Sequence, residues 1–312
     1  MTKQNSKKIN NEITTPVVHV QIFRGSDLGV MPIAKALEEA RKLDLDLVLR
    51  PYNADPPICE IRDISPYIYN DEIDRYIRKV PLPETVEINS AEVSLTSEDK
   101  GFKLDIPAHE IKTHFGDDRQ ILTKISSGIR IPYRAQKFLQ TIGLPTRVFG
   151  NYFLDYGECG LIRLDEYLHW YQQVEKQAFE ITNQRIGREI DIERRYLSPL
   201  SIDTAKYFRL GEMSKMHALV IDSDSDAISI VDFCGKSGKH SLVNSSIEQF
   251  AQFLVLVDKA YDDVNSDSTN CNIQERLKQL YEDLKMLDPS VMDERNTRIW
   301  LTTIFEMEHG LI

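Results

Sequence analysis

The sequence predicts an α+β protein in two parts: a small α/β module of about 60 residues, then a larger α+β domain with an antiparallel sheet and C-terminal helices. Three observations predict this. In the first 62 residues, short alternating apolar runs flank one helical stretch. Between Tyr207 and Phe233, three strand-like runs follow one another with no helix between them, as an antiparallel sheet requires. The last quarter carries three apolar stripes at helical spacing.

Taken in order, residues 1–15 form a polar leader with little to bury and are expected to be flexible. Val17–Phe23 alternates through Val18, Val20 and Ile22 and reads as a strand. Gly25 and Gly29 punctuate a turn, and Pro32 suits the first turn of a helix whose inner face is Ile33, Ala36, Leu37, Ala40 and Leu43. Residues 45–49 make a second strand. The loop Asn53-Ala54-Asp55-Pro56-Pro57 leads into a third strand, Ile58–Arg62, with Cys59 and Ile61 on one side and Glu60 and Arg62 on the other. The first domain is therefore placed at 16–75 and a linker at 76–84, with two helical turns at 71–79 stopped by Pro81 and Pro83. The second domain runs from 85 to 312. Val86–Ile88, Glu92–Leu95 and Phe102–Ile106 read as a meander turning at Asp99-Lys100-Gly101. Tyr133–Ile142 is a helix that Gly143 ends in a left-handed cap. Tyr207–Leu210, His217–Ile221 and Ile228–Phe233 are the sheet strands. Ser245 and Glu248 form a capping box for a helix whose stripe is Ile247, Phe250, Leu254, Val257 and Tyr261. Two more helices follow, around Leu277 and around Trp300, Ile304 and Met307, the last ending at Gly310.

Composition narrows the function. Asp and Glu outnumber Lys and Arg by 49 to 38, which disfavours a protein whose main task is gripping phosphate backbones. No apolar run is long enough to span a bilayer and the start has no hydrophobic stretch, so no membrane partner and no signal peptide are expected, and the location is expected to be cytoplasmic. Cysteines at 59, 159, 234 and 271 form no close pair, and the histidines show no ligand spacing; Cys59 reads as core filling.

The remaining motifs read as surface structure. Asp222-Ser223-Asp224-Ser225-Asp226 lacks the glycine and glutamate of a calcium loop, having Ala227 and Phe233 there, and reads as a hairpin turn whose carboxylates cap the backbone. Gly235-Lys236-Ser237-Gly238-Lys239 has the wrong order for a phosphate loop. No nucleophile has a base that the sequence identifies, so no catalytic residue, cofactor or metal is assigned and no enzyme is expected.

Two resemblances carry the functional expectation. The strings Leu28-Gly29-Val30-Met31, Ala36-Leu37-Glu38-Glu39-Ala40, Leu45-Asp46-Leu47-Val48 and Pro51-Tyr52-Asn53-Ala54-Asp55-Pro56-Pro57-Ile58-Cys59 resemble the N-terminal domain of bacterial translation initiation factor 3 over about residues 10–70. The resemblance implies association with the small ribosomal subunit and its rRNA. By charge and residue type the contact candidates are Lys7, Lys8, Arg24, Arg41, Lys42, Arg50, Arg62, Tyr67 and Tyr69. The chain departs from the family: Glu60 replaces a basic residue, Asp63-Ile64-Ser65-Pro66-Tyr67 lacks the family's lysine, and nothing downstream resembles its C-terminal domain. Residues 1–70 hold nine basic and nine acidic side chains.

Downstream, Phe138-Leu139 with Gly143-Leu144-Pro145, Val243-Asn244-Ser245-Ser246 with Phe250 and Phe253, Leu287-Asp288-Pro289, and Trp300 with Glu306, Met307, Gly310 and Leu311 follow in order. They resemble the fourth subfamily of the SUKH superfamily of toxin-immunity proteins over about residues 104–312, while residues 160–200 match nothing in it. This implies a non-enzymatic α+β domain that neutralises a cognate bacterial toxin. All of the excess negative charge lies after residue 70, with 40 acidic against 29 basic side chains, which suits a basic toxin acting on nucleic acid or translation. The candidate toxin interface is Asp222, Asp224, Asp226 and Asp232. The alternative is a translation-factor-like protein whose C-terminal part is regulatory.

Overall fold

Chain contacts divide the protein into a smaller unit, Met1–Pro81 with Tyr171–Asp191, and a larger one, Leu82–Trp170 with Ile192–Ile312. This is a computed structural model, and it describes residues 8–51, 54–88, 103–127, 131–148, 152–187, 202–214, 217–232, 240–266, 273–292 and 299–311.

In the smaller unit, β1 (Val17–Ile22), β2 (Asp27–Pro32), α1 (Ile33–Lys42), β3 (Asp46–Leu49), β4 (Ile58–Arg62) and α2 (Ser65–Ile77) follow in order. The sheet order is β2-β1-β4-β3, with β1 parallel to β4 and the outer pairs antiparallel. Strand alternation does the sorting: Val18, Val20, Cys59 and Ile61 are buried with Ala36 and Ala40 of α1. Burial pushes the Cys59 thiol up to about 11, so it is an inert filler.

Several elements of the smaller unit differ from expectation. Residues 8–15 are packed: Ile9 bridges Val48, Ile9 and Ile13 are buried, and the Asn10 amide bonds Asp46 and accepts the Leu47 N–H at 2.8 Å. Residues 1–7 lie outside the described residues. The turn is confined to residues 23–26, and Gly29, at φ +78°, lies within β2 opposite Val20, beside a bulge. The helix expected at 71–79 starts instead at Ser65, with Pro66 in its first turn, so that Ile68, Tyr69 and Ile73 face inward.

The larger unit begins with β5 (Thr85–Glu87), α3 (Ala108–Phe115), β6 (Arg119–Gln120), β7 (Lys124–Ser126), α4 (Tyr133–Thr141), β8 (Leu144–Pro145), β9 (Arg147–Val148), β10 (Tyr152–Leu154), α5 (Tyr156–Cys159) and β11 (Ile162–Arg163). After the 23-residue α6 (Leu164–Ile186) come β12 (Tyr207–Ser214), β13 (His217–Asp222), β14 (Ile228–Asp232), β15 (His240–Asn244), α7 (Ile247–Ser266), α8 (Ile273–Leu287) and α9 (Ile299–Glu308). The main sheet runs β15-β14-β13-β12-β10-β9, with β11 also on β12, and every pair is antiparallel. One face, from Phe208, Leu210, Leu219, Ile221, Ile228, Ile230 and Val243, packs in one core with α7, α4, α8 and α9. On the other, the Arg209 guanidinium is buried 4.3 Å from the Tyr167 ring of α6 and paired with Asp155.

The meander does not form as expected. Val86 pairs with Ile125 of β7, and residues 103–106 are not a strand; Glu92–Leu95 and the turn at 99–101 lie outside the described residues. The expected capping box does not form and the cap is shifted by one: Ser246 Oγ accepts the Gln249 N–H, while Ser245 bonds Asp288 through both its N–H and its hydroxyl. The first three turns of helix α7 are buried nearly all round, because Ala251, Phe253 and Val255 also find partners.

Residues 160–200, unplaced by sequence, contain α6, and this helix is shared. Leu164–Trp170 belongs to the larger unit, and the rest of the helix to the smaller. There Ile186 joins a core of Ile9, Val48, Ile64 and Ile68. Arg185 pairs with Glu12 at 3.2 Å and reaches the buried Glu72 at 4.0 Å. The Tyr69 hydroxyl donates to Glu175 Oε1 at 3.3 Å.

Burial pushes the Glu175 carboxyl up to about 7, with the Tyr69 bond pulling the other way. A carboxyl raised on folding favours the folded state below its unfolded pKa, and that contribution is lost as pH rises through the folded value. Stability of the smaller unit should therefore fall, on the order of 2 kcal/mol, between pH 4.5 and 7. Glu175→Gln should flatten that stretch of a denaturant-midpoint profile; an unchanged slope would place the titration elsewhere.

Candidate partner-binding surfaces

The four aspartates proposed for the larger unit have different situations. At the β13–β14 turn, Asp222 Oδ1 accepts the N–H groups of Asp224 and Ser225, both at 2.8 Å, and the Ser225 hydroxyl at 3.0 Å. This is the backbone-capping role the motif suggested. Asp224 stands out at the tip, with the Lys206 ammonium 3.7 Å away. Asp226, in the left-handed region at φ +57°, is half-buried. Asp232 lies at the far end of β14, 3.9 Å from His217 Nε2 and roughly 20 Å along the strand from Asp226. The fold gathers three of the four and separates Asp232 from them.

Asp226 lines a cavity of about 410 Å³ together with Lys103, Asp105, Arg134, Ser246 and Glu248. Glu248 is 2% exposed and receives the fork of Arg134, Nε and Nη2 each donating to one oxygen, as well as the Lys103 N–H at 2.9 Å. Gln252 accepts the N–H groups of Asp105 and Ile106 at 2.7 and 2.9 Å. Sequence reasoning missed this arrangement, because Arg134 and Glu248 are 114 residues apart and Glu248 had a plausible local partner in Ser245.

The residues that carried the second resemblance are mostly structural. Asp288, fully buried, ties the start of α7 to the end of α8 through Ser245, Ser290 and Asn244. The Trp300 indole donates to the Val243 carbonyl at 3.0 Å between Phe250 and Phe253.

In the smaller unit, the candidates separate into a cluster and scattered charges. The Arg62 guanidinium lies 4.3 Å from the Phe23 ring and 5.2 Å from the Tyr67 ring, and its Nη2 donates to the Tyr67 hydroxyl at 3.2 Å. Arg24 flanks Phe23 at 5.2 Å. Phe23 and Tyr67 are 41% and 53% exposed, so two aromatic faces and two guanidiniums share one surface. Glu60 offsets it, lying 3.4 Å from Arg50 and 3.5 Å from Arg62. Lys42 pairs with Glu38 and Glu39 at the exposed end of α1, beside Arg41, and Lys8 is exposed. Lys7 lies outside the described residues. Tyr69 is a correction: it is 5% exposed, because α2 turns it toward Glu175, and it is not on this surface. Phe23 was overlooked, although an aromatic beside Arg24 at a strand end was the available signal.

Among the described residues, no group of three or more His, Cys, Asp or Glu side chains is placed to hold a metal ion. Among them too, no helix is long and apolar enough to cross a membrane.

Comparison with known proteins matches each part of the chain to a family. The family described as "Translation initiation factor IF-3, N-terminal domain" matches residues 9–75, and that described as "SUKH-4 immunity protein" matches residues 107–306, nearly two thirds of the chain. Curated relatives of the first part include Translation initiation factor IF-3 of Chlamydia muridarum, 44% identical over 63 residues, which are 20% of this chain and 34% of the relative. IF-3 of Streptomyces coelicolor is 42% identical over 62 residues, 20% of this chain and 29% of the relative. IF-3 of Thermosynechococcus vestitus is 41% identical over 71 residues, 23% and 39% respectively. The chain thus spans about a third of the length of these relatives.

Proposed function

We propose, from the premise that this chain belongs to the SUKH-4 immunity protein family, that it neutralises a cognate toxin by binding it, not by chemistry, in the cytoplasm. The observation that carries this reading is the family match over 107–306, on a region with 30 acidic against 24 basic side chains. The turn carrying Asp222, Asp224 and Asp226 is the surface we assign to the toxin, with Asp232 at most peripheral. A toxin that acts on nucleic acid or on translation presents a basic cleft, and opposite potentials speed the encounter.

The N-terminal module supports a second role, because it matches the initiation-factor domain and carries the Phe23, Arg24, Arg62 and Tyr67 surface. We read it as an accessory that places the inhibitor near ribosomes. Glu60 beside Arg50 and Arg62 makes that contact weak and salt-sensitive. In the competing reading, a translation factor with a regulatory C-terminal part, this surface is the primary one.

The test expresses the full chain with the toxin encoded beside its gene, because fragment 1–75 lacks the α6 segment of the smaller unit. Asp224→Lys should weaken protection and slow association about tenfold, while Arg62→Glu with Phe23→Ala should leave toxin binding intact and abolish residual cosedimentation with small subunits at low salt. Loss of protection only with the Arg62 and Phe23 changes would replace the immunity reading by the translation-factor one.

A further inference from the structure

The cavity beside the β13–β14 turn has a fixed floor and one half-buried carboxylate left over among the described residues, Asp105 on its rim being exposed. Both Glu248 oxygens are taken by Arg134, one also by Lys103 N–H, and Gln252 holds two backbone N–H groups. Ser246 and Gln249 bond each other. Asp226 is different. Among the described residues, its half-buried carboxylate takes no hydrogen bond and no ion pair. Three acids, Asp105, Asp226 and Glu248, line the cavity against two bases, Lys103 and Arg134, and the Arg134 guanidinium is already bonded to Glu248. A desolvated carboxylate without a partner is costly, and a cation entering the cavity removes that cost.

We infer that this cavity receives a guanidinium side chain of the protein partner, with Asp226 as its counter-ion and the Arg134–Glu248 fork as a preformed wall. The inference rests on the immunity reading only in taking the partner to be a protein with a basic surface. A guanidinium fits better than an ammonium because it is planar and more weakly hydrated, and so tolerates a half-enclosed site. The volume, about 410 Å³, is that of a ligand-sized cleft. The charges facing Asp226 agree: burial first and then Glu248 of α7 push its carboxyl up to about 6, Asp222 adds to this, and Arg134 of α4 pulls against it. The cation should therefore loosen as pH falls through about 6.

The experiment titrates the full chain with N-acetyl-arginine amide, using N-acetyl-citrulline amide as the neutral control and free arginine as a competitor, followed by NMR. Saturable binding of the arginine amide and not of the citrulline amide is expected, weakened about tenfold by Asp226→Asn and unchanged by Asp224→Asn. Asparagine suits the left-handed backbone at 226, so Asp226→Asn should fold, which a thermal melt checks. Equal binding of the citrulline amide, or indifference to Asp226→Asn, would overturn the site. Free arginine binding tenfold more tightly than the blocked amide would assign the cavity to a small metabolite and overturn the protein side chain. Full protection by Asp226→Asn against the toxin would sink this inference while leaving the immunity reading standing.

Discussion

Gly143→Ala should lower the melting temperature of the larger unit by roughly 6–12 °C, the equivalent of about 3 kcal/mol. Gly143 closes α4 at φ +73°, where a side chain is already disfavoured by about 1 kcal/mol. A Cβ built there would stand 2.0 Å from the backbone carbonyl oxygen of Gln120 and 2.9 Å from the Ile121 side chain. The carbonyl cannot simply swing aside. Gln120 O accepts the Tyr156 hydroxyl at 2.9 Å, the same hydroxyl accepts the Leu144 N–H at 2.8 Å, and Gln120 pairs with Leu144 between β6 and β8. Tyr156 is wholly buried, so the insertion would disturb a satisfied polar contact inside the core. Gly310→Ala is the control, since Gly310 also ends a helix at positive φ but has no atom within 4 Å of the added Cβ. It should cost about 1 kcal/mol. Equal losses from the two would show that backbone conformation alone, without the close approach to Gln120, sets the requirement for glycine.

Ile186→Asp should destabilise the smaller unit by about 3 kcal/mol or more, through a substitution far outside the initiation-factor match. Ile186 is 6% exposed among Ile9, Val48, Ile64 and Ile68, and a carboxylate there would have no cation in that apolar cluster. Units of this kind open cooperatively, and the result is read residue by residue in hydrogen exchange. Amides of β1 and β4 should exchange faster in the variant, while those of β13 and β14 keep their protection. Unchanged exchange in β1 and β4 would mean that the α6 segment contributes nothing to the smaller unit. Ile186→Val should cost about 1 kcal/mol, in line with the loss of one buried methyl group.

Both variants act where the chain doubles back on itself, and that is where sequence reading ran short. Local signals were reliable where the cause is local. The alternation of Val18 and Val20, and of Cys59 and Ile61, gave strands β1 and β4 and the correct inner face of each. Gly143 and Gly310 marked helix ends because a left-handed residue is needed at each, and both have positive φ. Asp222 was legible as a turn cap because its partners are two and three residues away. The start of α2, the pairing of Val86 with Ile125 and the bonding of Ser245 to Asp288 were not legible, since the partners that decide them are distant in sequence.

The sequence by itself determined the two-part α+β organisation, the family each part resembles and the acidity of the larger one, because periodicity, motif order and composition are written along the chain. Only the tertiary structure decided that α6 is divided between the units, that Tyr69 faces inward, and that Arg134 and Glu248 wall a cavity in which Asp226 takes no hydrogen bond or ion pair among the described residues. The physical reason is the same in each case. Burial and ion pairing depend on which distant segment arrives, and a helix stripe or a lone charge specifies only that some partner is needed.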